Sequence, residues 1–187
     1  MAALVESIGP LDYAARRRGR PDDPYGSLVR TIVGQQLSTK AARTIYARLV
    51  ALFGDNPPTP AEFLDAEDAA LRAVGLSRQK IGYLRDLAAR VESGDLDLDT
   101  LHQLPDEEVS ARITAVKGLG QWSADMFLIF HLGRPDVLPV GDLGIRRAAE
   151  KVYDLPGLPD ADDLRALAEP WRPWRALACL YLWRTLE

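Results

Sequence analysis

Apolar residues return every three or four positions along nearly the whole chain, and glycines or prolines punctuate the runs. That spacing lines one side of an α-helix, so a chain patterned this way folds by packing short amphipathic helices together. From Tyr25 the positions are Leu28, Ile32 and Val33, then Ala42, Ile45, Leu49 and Leu52, which predicts two helices, the second capped by Ser38 and stopped at Gly54. Thr59-Pro60-Ala61-Glu62 is a capping box with proline at the first helical position, and the pattern runs on from Ala66 to Val74 before Gly75. Ser77 opens a helix with the stripe Ile81, Leu84, Leu87, Ala88 and Val91, and Gly94 closes it. Pro105 introduces a helix to Val116 whose first turn holds Asp106, Glu107 and Glu108, where the helix dipole favours acids. Ser123 to Leu132, Ile145 to Val152, a stretch starting at Asp160 or Asp162, and Trp174 to Leu186 complete the helical pattern. A short helix within Met1 to Gly19 is also predicted, running into Arg16-Arg17-Arg18-Gly19-Arg20 before Pro21 and Pro24 break it; the arginines read as a solvated face or a phosphate contact. Asp95 to Leu101 alternates apolar and acidic residues as a strand would, but no partner strand is visible, so the segment is a loop and the fold class all-α.

A length of 187 residues with 47% hydrophobic content suits one compact domain or two small lobes sharing a cleft. Cys179 is the single cysteine and lies in an apolar run, which excludes an internal disulfide and predicts a core position in an intracellular protein. No apolar run approaches the length of a membrane span and no signal peptide is visible, so a cytoplasmic location is expected. The net charge of -4 and a pI of about 5.3 argue against a general coat for nucleic acid, so any such binding must come from local groups. His102, His131 and one cysteine make no side-chain metal site.

The chemistry concentrates between Val116 and Asp142. Val116-Lys117-Gly118-Leu119-Gly120-Gln121 reads as a tight hairpin between two helices, whose glycines allow a sharp turn with outward amides. Amides beside a helix N-terminus suit a phosphate. Pro135 and Pro139 then force an extended link to Asp142, just before a helix. Asp142 can be an ordinary N-cap, and because a helix N-terminus favours a charged carboxylate, it can equally be a reactive one.

The hairpin at Val116, Gly118, Leu119 and Gly120, followed by Pro139, Gly141 and Asp142, resembles the helix-hairpin-helix of the HhH-GPD DNA glycosylases. Trp122-Ser123-Ala124 and Trp171-Arg172-Pro173-Trp174-Arg175 are similar to the bacterial 3-methyladenine DNA glycosylase II branch, the AlkA type. The similarity runs from about Pro24 to the C-terminus. It implies two helical lobes, residues 24–134 with the hairpin and residues 1–23 with 135–187, and a cleft between them. The family's bacterial members often carry an N-terminal β domain, for which a chain of this length has no room.

By the same resemblance Asp142 is the catalytic carboxylate, and Trp122 and Trp183 line a pocket for an extruded base. Core packing suits Trp171 and Trp174 better, and Trp183 too has a core alternative on the apolar side formed by Trp174, Leu177, Leu180 and Tyr181. Lys117, Gly118, Leu119, Gly120 and Gln121 bind DNA phosphate, and the main-chain carbonyls of Thr114, Val116 and Leu119 hold a monovalent cation. Gln36 or Leu37 fills the gap left in the duplex, the alternative being a plain turn with Leu37 in the core. Breaking a glycosidic bond builds positive charge on the sugar, which an ionised carboxylate stabilises. Such a group protonates a leaving base poorly, so the substrate is a base that alkylation has already made cationic, and cations are drawn to aromatic faces. Endonuclease III-like lyases carry a nucleophilic lysine where Trp122 stands, and many hold an iron-sulfur cluster on four cysteines; this chain has neither. The expected activity is therefore a monofunctional glycosylase of base-excision repair, with no cofactor needed for chemistry, acting as a monomer on double-stranded DNA and so associated with the nucleoid when bound. The alternatives are a non-catalytic DNA-binding module and a glycosylase for deaminated or mismatched bases.

Overall fold

A computed structural model describes residues 1–11 and 21–186, and its regular structure is eleven α-helices and two 3-10 turns, with no strand among the described residues. The arginine run 16–20 lies outside the described residues. Helix α1 (Ala2–Ile8) ends where Gly9 takes φ of 75°, short of the predicted stretch to Gly19. Asp23 caps α2 (Pro24–Gly34) and Ser38 caps α3 (Thr39–Leu52), with Gly54 at φ 73° just beyond. The capping box of α4 (Pro60–Asp65) is reciprocal: Thr59 Oγ1 accepts the Glu62 N–H at 3.2 Å and Glu62 accepts the Thr59 N–H at 2.8 Å.

Helical pattern runs on past Asp65, yet the chain breaks at Ala66 and restarts as α5 (Asp68–Ala73). The cause is Arg85 of α6 (Arg78–Glu92), which donates to the carbonyls of Leu64 and Ala66, both at 2.8 Å, and pairs with Asp68. Carbonyls at a helix end need such donors, and a guanidinium supplies several in one plane. After α6 the segment 95–100 is a loop that buries Leu96 and Leu98, which explains its alternating pattern without a strand. A 3-10 turn (Leu101–Gln103) leads to α7 (Asp106–Thr114), the hairpin, and α8 (Gln121–Phe130). Then come α9 (Leu143–Val152), α10 (Ala161–Ala168), a second 3-10 turn (Glu169–Trp171) and α11 (Arg175–Arg184).

The chain divides into two units, Gly19–Ala124 and Met1–Arg18 with Asp125–Glu187, taking the described residues of each. The division falls inside α8, earlier than the expected boundary at 134. From Ser123 to Phe130 every residue is buried, so α8 shows no solvent face from which a boundary could be read. Leu28, Ile32, Leu49, Phe63, Leu84 and Leu87 are fully buried in the first unit, each contributing about 1.5–3 kcal/mol over an exposed side chain. In the second unit Ile145, Leu164, Trp171, Cys179 and Leu182 form the core, with Leu138, Val140 and Trp183 packed against it. Trp171 is the core residue expected, stacked on Tyr153 at 6.0 Å. Trp174 is not: it is 59% exposed, and Leu177 is exposed beside it, because only Leu180 and Tyr181 of that apolar group face inward.

Candidate active site

The segment after α8, expected to be an extended link, instead turns at 135–136 and again at 140–141, where Val140 N–H donates to Leu138 O and Asp142 N–H to Pro139 O, both at 2.9 Å, and α11 holds it at both ends. At its start, Pro135 O accepts the Ala176 N–H at 2.9 Å, and Asp136 is clamped by Arg175 (Nε to Oδ1, 2.7 Å) and Arg172 (Nη1 to Oδ2, 2.6 Å). Partial burial tends to raise the Asp136 pKa, but the Arg175 hydrogen bonds and the two guanidinium charges outweigh it and hold the carboxyl below the usual range. At its end, Asp142 caps α9, and its Oδ1 accepts two bonds, from Ile145 N–H at 2.8 Å and from Trp183 Nε1–H at 3.0 Å. Asp142 is thus the helix cap that the sequence allows, and the same oxygen is also held by the Trp183 indole. Trp183 is itself stacked on Phe130, with centroids 5.7 Å apart and the rings 30° from parallel. Below them, burial and then the charge of Asp142 push the Cys179 thiol up, so it stays protonated in the core.

The hairpin belongs to the other unit. Gly118 has φ of 83°, and a Cβ there would stand 2.1 Å from Tyr83 Cδ2, so the turn is closed by an aromatic ring where no side chain fits. Gly120 differs from expectation: its φ is not positive, and a Cβ would meet nothing within 4 Å. Its missing side chain leaves open surface rather than permitting a strained backbone. Asp86 Oδ2 accepts the Lys117 N–H at 2.9 Å and an Arg90 bond at 3.0 Å, and Oδ1 lies 3.7 Å from Lys117 Nζ. Burial opposes the charge on Asp86, yet these donors keep its pKa below the usual value. Leu119 N–H turns inward to Val116 O at 3.1 Å, whereas the N–H groups of Gly118 and Gly120 meet no acceptor among the described residues. Gln121 and Trp122 begin α8, and Trp122 is 43% exposed.

Beside the hairpin, Gln35 Nε2 donates to Gly118 O at 2.7 Å. Lys80 Nζ donates to the carbonyls of Val33 and Gln35 at 2.7 and 2.8 Å, closing the C-terminus of α2 with a cation where the dipole wants one. The next residues project from this anchored loop: Gln36 is exposed with φ of 57°, and Leu37 is 38% exposed, which rules out the reading of Leu37 as core.

The structure thus brings Asp142 and Trp183 together, and separately the hairpin and the loop carrying Gln36 and Leu37; Trp122 lies in the hairpin's unit. Sequence reading missed Gln35, Lys80, Tyr83 and Asp86, which act from far along the chain, and Gly144 beside Asp142. Only Gly144 left a signal, being a glycine in the first turn of a helix that has no conformational need of one.

The family model for the HhH-GPD superfamily base excision DNA repair proteins matches residues 29–173. DNA-3-methyladenine glycosylase 1 of Schizosaccharomyces pombe is 35% identical over 97% of this chain and 80% of its own. The structure of the 3-methyladenine DNA glycosylase of the same yeast in complex with abasic DNA superposes with a TM-score of 0.89, at 35% identity over 98% of this chain and 89% of that one. A crystal structure of DNA-3-methyladenine glycosidase from Bacillus halodurans gives 0.79 at 38% identity, over 97% of this chain and 86% of that one.

Proposed function

This chain belongs to the HhH-GPD superfamily of base excision DNA repair proteins, and from that premise we propose that it is a DNA-3-methyladenine glycosylase, hydrolysing the N-glycosyl bond of alkylated bases in duplex DNA. The observation that carries the reading is Asp142, a carboxylate at the head of a helix whose Oδ1 accepts two N–H bonds. A carboxylate held there can stabilise a cationic sugar or orient water, which suits a base that needs no acid help to depart, as one already cationic through alkylation does. Trp122 and Trp183 are proposed to receive the flipped base, their faces favouring a cation by about 0.5 to 2 kcal/mol.

DNA is held by the hairpin, with the amides of Gly118 and Gly120 and the ammonium of Lys117 toward phosphate, while Gln36 or Leu37 enters the duplex. A monovalent cation at the carbonyls of Thr114, Val116 and Leu119 fits the donor set: among the described residues no N–H reaches Thr114 O or Leu119 O, and Val116 O, bonded once, keeps a second lone pair. Such an ion would add positive charge where phosphate lies. The enzyme is proposed to act as a monomer and without lyase chemistry, since Trp122 offers no amine. No described helix is long and apolar enough to cross a membrane.

Duplexes carrying single defined lesions test this reading. Free base should be released from 3-methyladenine DNA, leaving an intact strand with an abasic site, and borohydride should trap no protein-DNA adduct. Release confined to deaminated or mismatched bases, or a trapped adduct, would contradict it.

A further inference from the structure

We infer that Trp183 and Gly144 together position the Asp142 carboxylate, the indole N–H setting the plane of the group that faces the reacting sugar. The inference rests on the reading of Asp142 as the reacting carboxylate. Rotation about the last bond of an aspartate side chain is soft, with broad and roughly two-fold minima. A cap bond from Ile145 N–H restrains Oδ1 from within its own helix and leaves that rotation partly open. The second bond, from Trp183 Nε1 at 3.0 Å, arrives from α11 and converges on the same oxygen, so the carboxylate is gripped by two elements at once. The indole cannot swing away easily, because its ring is stacked on Phe130.

Gly144 leaves room for the approach without displacement. A Cβ built there would lie 3.0 Å from Asp142 Oδ1, 3.3 Å from Trp183 Nε1 and 3.4 Å from Trp183 Cδ1, wedged between donor and acceptor. Its φ is not positive, so nothing in the backbone asks for glycine, which is otherwise disfavoured in a helix. The empty volume itself is the feature. Trp183 is thus a positioning residue in addition to any contact its face makes with a base, and its nitrogen rather than its ring area sets the rate.

Replacing Trp183 with β-(3-benzothienyl)alanine keeps the ring and its stacking surface while exchanging N–H for sulfur. Single-turnover release from 3-methyladenine DNA should slow about ten- to hundredfold, the scale on which small misplacements of a reacting group act. Affinity for abasic duplex should stay within about twofold, since RT ln 2 is small beside that loss. Gly144→Ala should slow release comparably, and the two changes combined should slow it no further than either alone, as members of one unit do. In wild type the Trp183 indole proton should exchange slowly with solvent, and Gly144→Ala should speed it. An isostere variant that matches an active wild type, or one whose whole loss is in DNA affinity, overturns the positioning role alone. Failure of wild type to release any alkylated base overturns the glycosylase reading, and the positioning role with it.

Discussion

Asp136 meets two guanidinium groups in the segment that leads to the site. Arg175, only 16% exposed at its side chain, meets both its carboxylate and its main-chain carbonyl, and Arg172 adds a second guanidinium. The folded Asp136 pKa lies below the unfolded value near 4, so its contribution is fully present above that value and is lost as pH falls through the folded one. Acid unfolding of wild type should therefore steepen below about pH 4. Asp136→Asn should cost about 1–2 kcal/mol at neutral pH after solvent screening and should flatten the dependence between pH 5 and the acid limb, as followed by urea denaturation at several pH values. Equal pH profiles for the two proteins would remove Asp136 from the account. Little of this was legible: Asp136 and Arg175 are 39 residues apart, and no local rule pairs them. Asp142 was legible as a helix cap from its place before α9, and as a reacting carboxylate only through the family resemblance; its bond to Trp183, across 41 residues, was not legible.

Helices and turns were read from sequence wherever the cause was local. The caps at Ser38, Thr59 and Ser77 are in place because each makes its bond within three residues, and of the two starts left open, Asp160 or Asp162, it is Asp160 that caps. The break at Ala66 was missed because its cause is Arg85, on another helix. The two hairpin glycines look alike in sequence and part ways in structure, which gives opposed predictions. Gly118→Ala forces a Cβ into Tyr83 at φ 83° and should destabilise the fold by about 1–3 kcal/mol as well as weaken DNA binding. Gly120→Val meets open space and should leave the melting temperature nearly unchanged while weakening binding to duplexes of any sequence, because the contacts are to backbone. Thermal melts alongside titrations of labelled duplex separate the two. A Gly120→Val protein with wild-type affinity would show that the hairpin does not touch DNA.

At the scale of the whole molecule, a protein of net charge -4 that binds a polyanion must do so through few contacts. Lys117 and Arg147 are exposed, while Arg146 is drawn into the fold by its bond to Pro159 O at 2.6 Å. With the hairpin amides and the proposed cation, roughly three to five phosphates should be neutralised, each adding about -0.9 to the slope of log affinity against log salt. A slope near -10, in contrast, would mean many more phosphate contacts than these groups supply. All-α class follows from periodicity and punctuation and the two lobes from the family resemblance, but the boundary inside α8 follows from neither, since a helix buried from Ser123 to Phe130 carries no mark of where one unit ends. The account as a whole turns on one carboxylate. Its most direct test is single-turnover release of 3-methyladenine from a duplex with one lesion, by wild type and by Asp142→Asn, with abasic-duplex affinity and melting temperature measured in parallel. Removing one stabilising group of this kind costs about 10²- to 10³-fold, so the variant should lose at least that much in rate while binding and folding like wild type. Release by Asp142→Asn within about threefold of wild type, less than the tenfold that 1.36 kcal/mol represents, would contradict the assignment of Asp142 and the mechanism built on it.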